Sequence, residues 1–171
     1  MSAGRKNNSP TKSWNTPPKI VSAVRSFFGG EIELDPCSNE SSLVGARENW
    51  ILPKDGLAES WAEYKTVFVN PPYGRDADRG TSIFHWIKKC SETKAEIVAL
   101  IPVATNTKHF GVIFESAKSV CFLKDSRLKF WMNGREDKKG APMACCLVYW
   151  GLEAERFVGA FSGMGKCLII Q

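Results

Sequence analysis

Val67-Phe68-Val69-Asn70-Pro71-Pro72-Tyr73-Gly74 is the stretch on which the fold turns. Three β-favouring apolar residues run into an amide, two prolines and an aromatic. A continuous apolar run ended by a strong breaker predicts a strand buried on both faces, the kind found inside parallel sheets. Two successive prolines lack backbone N–H groups and restrict φ, so the chain leaves the sheet in a stiff, extended turn. Turns at the carboxyl ends of parallel strands are where open α/β sheets place their ligands. The chemistry of this turn is selective. Asn70 offers a side-chain carbonyl as acceptor, the Pro71 backbone carbonyl offers a second, and Tyr73 carries a flat ring. Two acceptors converging on one NH2 beside an aromatic plate make a holder for a planar, amino-bearing heterocycle. The plainer reading is a proline-rich loop after a strand.

Upstream, residues 1–12 are polar, basic and aperiodic. They are expected to form a flexible tail, or a phosphate-contacting arm, ahead of one domain over residues 13–171. Trp14-Asn15-Thr16-Pro17-Pro18 leads into an amphipathic helix carrying Ile20, Val21, Val24, Phe27 and Phe28, stopped by Gly29-Gly30. Thr16 is its expected N-cap and Pro17 its first residue. Residues 31–36 alternate in polarity and end at Asp35-Pro36, which predicts a short strand. A helix is expected over 37–49, around Leu43, Val44 and Ala46, and a turn at Asp55-Gly56.

Downstream, residues 75–80 (RDADRG) read as a charged, mobile loop. Thr81 or Ser82 then caps a helix with Ile83, Phe84, Trp86, Ile87 and Cys90 on its apolar side. Strands are expected over 96–103, 119–123, 127–132 and 143–150, with a helix starting at Thr107. A turn or short helix near 155–161 precedes a last edge strand at 166–170. Helix–strand alternation thus gives way to hairpin character. The expected fold class is α/β: a mixed, mostly parallel sheet with helices on both faces and an antiparallel C-terminal hairpin.

Length and composition narrow the class of function. With 171 residues the chain holds one substantial core, too short for two typical domains. No apolar run reaches transmembrane length and the N-terminus is polar, so a cytoplasmic protein is expected. A net charge of +5 leans toward polyanionic partners, though such a charge also serves solubility alone. Six cysteines show no CxxC spacing and no nearby paired histidines, which argues against a metal site and for reduced core thiols. His85 and His109 stand alone and read as structural or surface residues.

The order Trp14-x-Thr16-Pro17, Asp35-Pro36 after a short strand, Asp55-Gly56-Leu57, Trp61, and strand-Asn70-Pro71-Pro72-Tyr73 resembles the phage-type DNA N6-adenine methyltransferases, a Dam-like family. Arg127-Leu128-x-Phe130 and the strand at 143–150 also fit, so the resemblance spans roughly residues 14–150. It implies a trimmed, Rossmann-like methyltransferase fold without a separate target-recognition domain. It also implies S-adenosylmethionine as methyl donor and DNA as substrate. Asn70, Pro71, Pro72 and Tyr73 would then form the catalytic turn. Trp14, Thr16, Pro17, Asp35, Pro36, Ser38 and Asp55 would serve the cofactor: the start of the first helix facing its carboxylate, Asp35 its ammonium, Asp55 its ribose or adenine. Arg75, Arg79, Lys124, Arg127, Lys129, Arg135, Lys138 and Lys139 would contact DNA; a solvated hairpin is the plainer reading of the later ones. Related enzymes follow Asp-Pro with a glycine-rich turn, whereas Cys37-Ser38-Asn39-Glu40 stands here. The motif by itself leaves cytosine N4, guanine N2 and glutamine N5 open as acceptors. A DNA-binding relative without catalysis is the alternative from another class.

Overall fold

The computed structural model describes residues 14–124, 127–132, 134–138 and 140–170. The expected tail over 1–12 and Lys139 lie outside them. In chain order the elements are α1 (Pro18–Phe27), β1 (Leu34–Asp35), β2 (Glu48–Asn49), β3 (Thr66–Val69), β4 (Arg75–Asp76) and β5 (Thr81–Ser82). They continue with α2 (Ile83–Glu92), β6 (Glu96–Pro102), α3 (Lys108–Ser116), β7 (Ser119–Leu123), β8 (Trp131–Met132) and β9 (Arg135–Glu136). The chain ends with β10 (Cys145–Trp150), α4 (Ala154–Phe161) and β11 (Gly165–Ile169).

Seven strands form one sheet in the order β11-β7-β10-β6-β3-β1-β2. From β2 through β1 and β3 to β6 the pairing is parallel. β10 then runs antiparallel between β6 and β7, and β11 antiparallel along the edge of β7. Five strands therefore point one way, and the expected mostly parallel sheet with an antiparallel C-terminal end is what forms. Among the described residues no helix is long and apolar enough to cross a membrane.

The side-chain period of two in a strand sends alternate residues to opposite faces, and both faces here are dry. Val67, Val69, Ile97, Ala99, Ile101, Cys146 and Val148 pack with Trp86, Ile87 and Cys90 of α2 and Phe110 and Ile113 of α3. Phe68, Val98, Leu100, Leu147 and Tyr149 pack on the other face with Ile20, Val24 and Phe27 of α1 and Phe157 and Phe161 of α4. This explains why the central strands read as unbroken apolar runs. Four cysteines, Cys90, Cys121, Cys145 and Cys146, are buried as free thiols, as expected of small hydrophobes.

Three expectations on the way to the site need correction. The first helix begins at Pro18, with Pro17 as N-cap at ψ 138° and no side-chain cap. A residue before proline is pushed out of the helical region, so Pro17 cannot be helical and Thr16 falls one residue short of capping. The helix expected over 37–49 does not form. Ser and Asn side chains bind the backbone locally instead, Asn39 Oδ1 accepting from the Ser41 N–H at 2.9 Å and Ser42 Oγ from that of Val44 at 3.3 Å. Gly45 then takes φ +57°, and Arg25 donates to the Val44 carbonyl at 2.6 Å. Finally, of the strand expected over 127–132 only Trp131 and Met132 join a ladder, in a hairpin with Arg135 and Glu136. Leu128 and Phe130 are nevertheless buried, so the alternation was a true signal of facing rather than of pairing.

The loop expected at 75–80 is a tight hairpin, Arg75 pairing with Ser82 and Asp76 with Thr81. β1 and β3 are direct neighbours, but the chain passes from β1 to β2 on one side before crossing to β3 on the other. That reversal is a topological switch point, and the crevice outside its carboxyl ends is the expected ligand site.

Candidate active site

Asn70 follows β3 at the mouth of this crevice. Its Nδ2 donates to Thr16 Oγ1 at 3.0 Å, and its Oδ1 accepts from the Tyr73 hydroxyl at 3.1 Å. The same hydroxyl lies 3.3 Å from the Leu100 carbonyl of β6. Pro71 is buried and Pro72 exposed, so the turn hugs the sheet for one residue and then leaves it. Tyr73 is half-buried, its ring meeting Phe130 edge-on at 6.0 Å, and burial pushes its phenol well above the ordinary value. Its hydroxyl finds its acceptors inward, as a buried phenol does.

The N-terminal segment closes the same mouth. Trp14 stacks on Phe130 at 5.4 Å, and Asn15 exchanges two backbone hydrogen bonds with Trp131 at 2.9 and 3.0 Å. The Asn15 side chain donates to the Ser41 carbonyl at 2.8 Å and accepts from Asn39 at 3.0 Å. Asn15 and Thr16 are therefore buried, at 3% and 2% exposure. Pro17 and Pro18 carry no N–H, which leaves the start of α1 few donors for a cofactor carboxylate.

Asp35 ends β1 and is 3% exposed. Its oxygens accept from the Cys37 N–H at 3.3 Å and the Ser42 hydroxyl at 3.5 Å. Burial pushes its carboxyl up to about 6, the hydrogen bonds from Cys37, Ser38 and Ser42 opposing the rise. Among the described residues it forms no ion pair. A buried carboxylate served only by neutral donors fits an ammonium partner, because such a cation would relieve its desolvation. Cys37 joins the two strands' turns: it lies against Asp35 and the Asn70 backbone, and burial first, then the Asp35 charge, holds its thiol protonated.

The turn after β1 is braced from outside. A Cβ at Gly56 would lie 2.0 Å from the Pro36 carbonyl oxygen, so only glycine permits this approach. Trp61 fixes the loop by donating to the Gly56 carbonyl at 2.9 Å. Asp55 accepts from the Leu57 N–H at 2.9 Å and pairs with Arg79 at 3.1 Å. Ser38 donates to Asn49 at 3.4 Å. Asp55 is thus engaged by the β4–β5 hairpin.

The expected DNA-contacting residues fall into two groups. Arg79 is held by Asp55 and, at 2.9 Å, by Asp76, both raising its pKa, while Arg75 is exposed on the hairpin. Lys124, Arg127, Lys129, Arg135 and Lys138 are all exposed around β8–β9, Lys129 pairing with Glu136 at 3.6 Å. His85 accepts from the Ser82 N–H in a capping box, and His109 is buried beside Thr107, so both are structural as expected. Sequence reasoning missed the Thr16–Asn70 contact and the roles of Asn15, Cys37 and Phe130. No local pattern signals a bond across 54 positions.

The DNA N-6-adenine-methyltransferase of Haemophilus phage HP1 is 23% identical over 120 residues, a match covering 70% of this chain and 66% of that protein. No solved structure matches significantly. A family model described as DNA N-6-adenine-methyltransferase (Dam) matches residues 5–160, nearly the whole chain, and the chain belongs to that family.

Proposed function

We propose that this protein transfers a methyl group from S-adenosylmethionine to the N6 amino group of an adenine flipped out of DNA. The observation that carries the reading is that Asp35 and Asn70 end the paired strands β1 and β3 at the switch point, with Cys37 lying against both the Asp35 carboxylate and the Asn70 backbone. When bound, S-adenosylmethionine supplies an electrophilic methyl carbon with a neutral thioether as leaving group. Asp35 would hold its ammonium, and Ser38 and Asp55 border the same crevice. An adenine amine is a poor nucleophile because its lone pair conjugates with the ring. Asn70 Oδ1 and the Pro71 carbonyl accept its two hydrogens and turn the lone pair out of the ring plane; transfer would form the N–C bond as the donor's C–S bond breaks, and the surplus N6 proton would go to water. Positioning and polarisation carry the rate. Asn70 Oδ1 has two lone pairs, so it accepts from Tyr73 and from N6 together. The flipped base reaches the turn past the half-buried ring of Tyr73, with the duplex held by Arg75 and the basic residues around β8–β9. These short elements support brief or relaxed sequence recognition, suited to protecting phage DNA in a bacterial host cytoplasm from restriction.

Tritium transfer from S-adenosyl-[methyl-³H]methionine to unmethylated duplex DNA tests the reading. The expected product is N6-methyladenine, spread over several sequence contexts. Replacing Asn70 by Ala lowers the rate at least about 1,000-fold and leaves cofactor affinity within about threefold. N4-methylcytosine as the product, or full activity in Asn70→Ala, rejects it.

A further inference from the structure

We propose that Thr16 is a positioning residue whose hydroxyl sets the plane of the Asn70 side-chain amide. The inference rests on the catalytic reading of Asn70. The terminal torsion of asparagine is broad, so its covalent structure alone does not aim Oδ1 at a reacting amino group. An amide turned over would present NH2 to an incoming N–H donor, and the polarisation would be lost. Two hydroxyls therefore grip Asn70 from opposite ends, Thr16 at Nδ2 and Tyr73 at Oδ1.

They are not equivalent grips. The single Tyr73 proton has two acceptors, Asn70 Oδ1 at 3.1 Å and the Leu100 carbonyl at 3.3 Å. When it goes to Leu100 the phenol oxygen can only accept and would suit the NH2 end of the amide; since either hydroxyl can donate or accept, the two grips differ in how firmly each is held. Thr16 is the better anchored of the two. It is 2% exposed, and the preceding Asn15 is clamped to Trp131 through its backbone and to Asn39 and Ser41 through its side chain. The Asn70 NH2 faces that buried hydroxyl. This assignment replaces the N-cap role, since Pro17 occupies the cap and no side chain caps α1.

Thr16→Val keeps the shape and removes the hydroxyl, whereas Thr16→Ser keeps the hydroxyl. Four quantities decide: single-turnover tritium transfer to unmethylated DNA at saturating cofactor, cofactor Kd by calorimetry, the thermal midpoint, and hydrogen-exchange protection of the Asn70 side-chain NH2 by ¹⁵N NMR. Thr16→Val is expected to slow transfer about 30-fold with cofactor Kd within about twofold, and Thr16→Ser to recover to within about threefold of the native rate. The Asn70 NH2 is protected in the native protein and in Thr16→Ser, and exposed in Thr16→Val. A native rate in Thr16→Val overturns the proposal, as does a loss confined to cofactor affinity or equal impairment in Thr16→Ser. An unprotected Asn70 NH2 in the native protein overturns it even if Thr16→Val does not fold. Full activity in Asn70→Ala removes the catalytic reading itself; an inactive Asn70→Ala beside a fully active Thr16→Val removes only the role of Thr16.

Discussion

The turns after β1 and β3 leave neighbouring parallel strands side by side, yet they meet the same crevice in opposite states. After β3, two prolines stiffen the chain and both polar ends of the Asn70 side chain already have a partner, Thr16 on one and Tyr73 on the other. After β1, the side chains of Ser and Asn fold the backbone around a buried carboxylate that has neutral donors and, among the described residues, no cation. One turn is finished before any ligand arrives; the other carries an electrostatic cost that a ligand would remove. The absent glycines after Asp35 fit this contrast. The tight approach in this region is made by Gly56 from outside, against the Pro36 carbonyl.

The contrast breaks most visibly at Asp35. Burial raises its carboxyl to about 6, so between about pH 4 and 6 the folded chain binds more protons than the unfolded one. Stability therefore falls as pH rises through that window, and by neutral pH the ionised group costs about 3 kcal/mol. Asp35→Asn should flatten the pH dependence of the thermal midpoint between pH 4 and 7. The same substitution should weaken cofactor binding by about 100-fold or more, because an ammonium would lose its buried partner. In the native protein, cofactor affinity should drop about tenfold per pH unit below about 6. Calorimetric titration across pH measures both. Native cofactor affinity in Asp35→Asn would place the ammonium elsewhere and undo the comparison.

Gly56→Ala tests whether the turn after β1 is braced from outside. The added carbon must push back a backbone oxygen rather than a flexible side chain, so the loop or Pro36 has to move. A loss of about 2 kcal/mol in urea unfolding is expected. Cofactor affinity should fall with it while the Asn70 turn keeps its NMR signature. A stability within about 0.5 kcal/mol of native would show the brace to be dispensable.

The two turns also differ in how much of each was legible. Val67-Phe68-Val69 followed by two prolines has one physical reading, and both the strand and its abrupt exit follow from local covalent restriction. The double-faced core was equally readable, because unbroken apolar strands and four amphipathic segments demand helices on both sides. Residues 37–49 misled for a chemical reason: Leu43, Val44 and Ala46 suggest a helix, but Ser and Asn side chains competed for the backbone and won. Thr16 misled for a topological one. A threonine before Pro-Pro looks like a cap, and only the fold brings it to Asn70. The ion pair between Asp55 and Arg79 was illegible as well, since each residue has several plausible partners until the hairpin turns back on the loop.

That ion pair links the two turns and carries the finest prediction. Arg79 leaves the hairpin after the Asn70 turn and grips Asp55, in the loop that braces Pro36, while Asp76 holds its Nε. Arg75, at the start of the same hairpin and paired with Ser82, is exposed. Both were expected to contact DNA, yet the charge of Arg79 is already matched by two carboxylates. Arg75→Gln should therefore reduce the salt slope of DNA binding by about one, as loss of a phosphate contact does. Arg79→Gln should leave that slope nearly unchanged and raise the KM for DNA only about twofold, through loosening of the hairpin. Fluorescence anisotropy on a labelled duplex at graded salt separates them. Equal slope changes in the two variants would mean that Arg79 leaves Asp55 for a phosphate, and that the link between the turns opens when DNA binds.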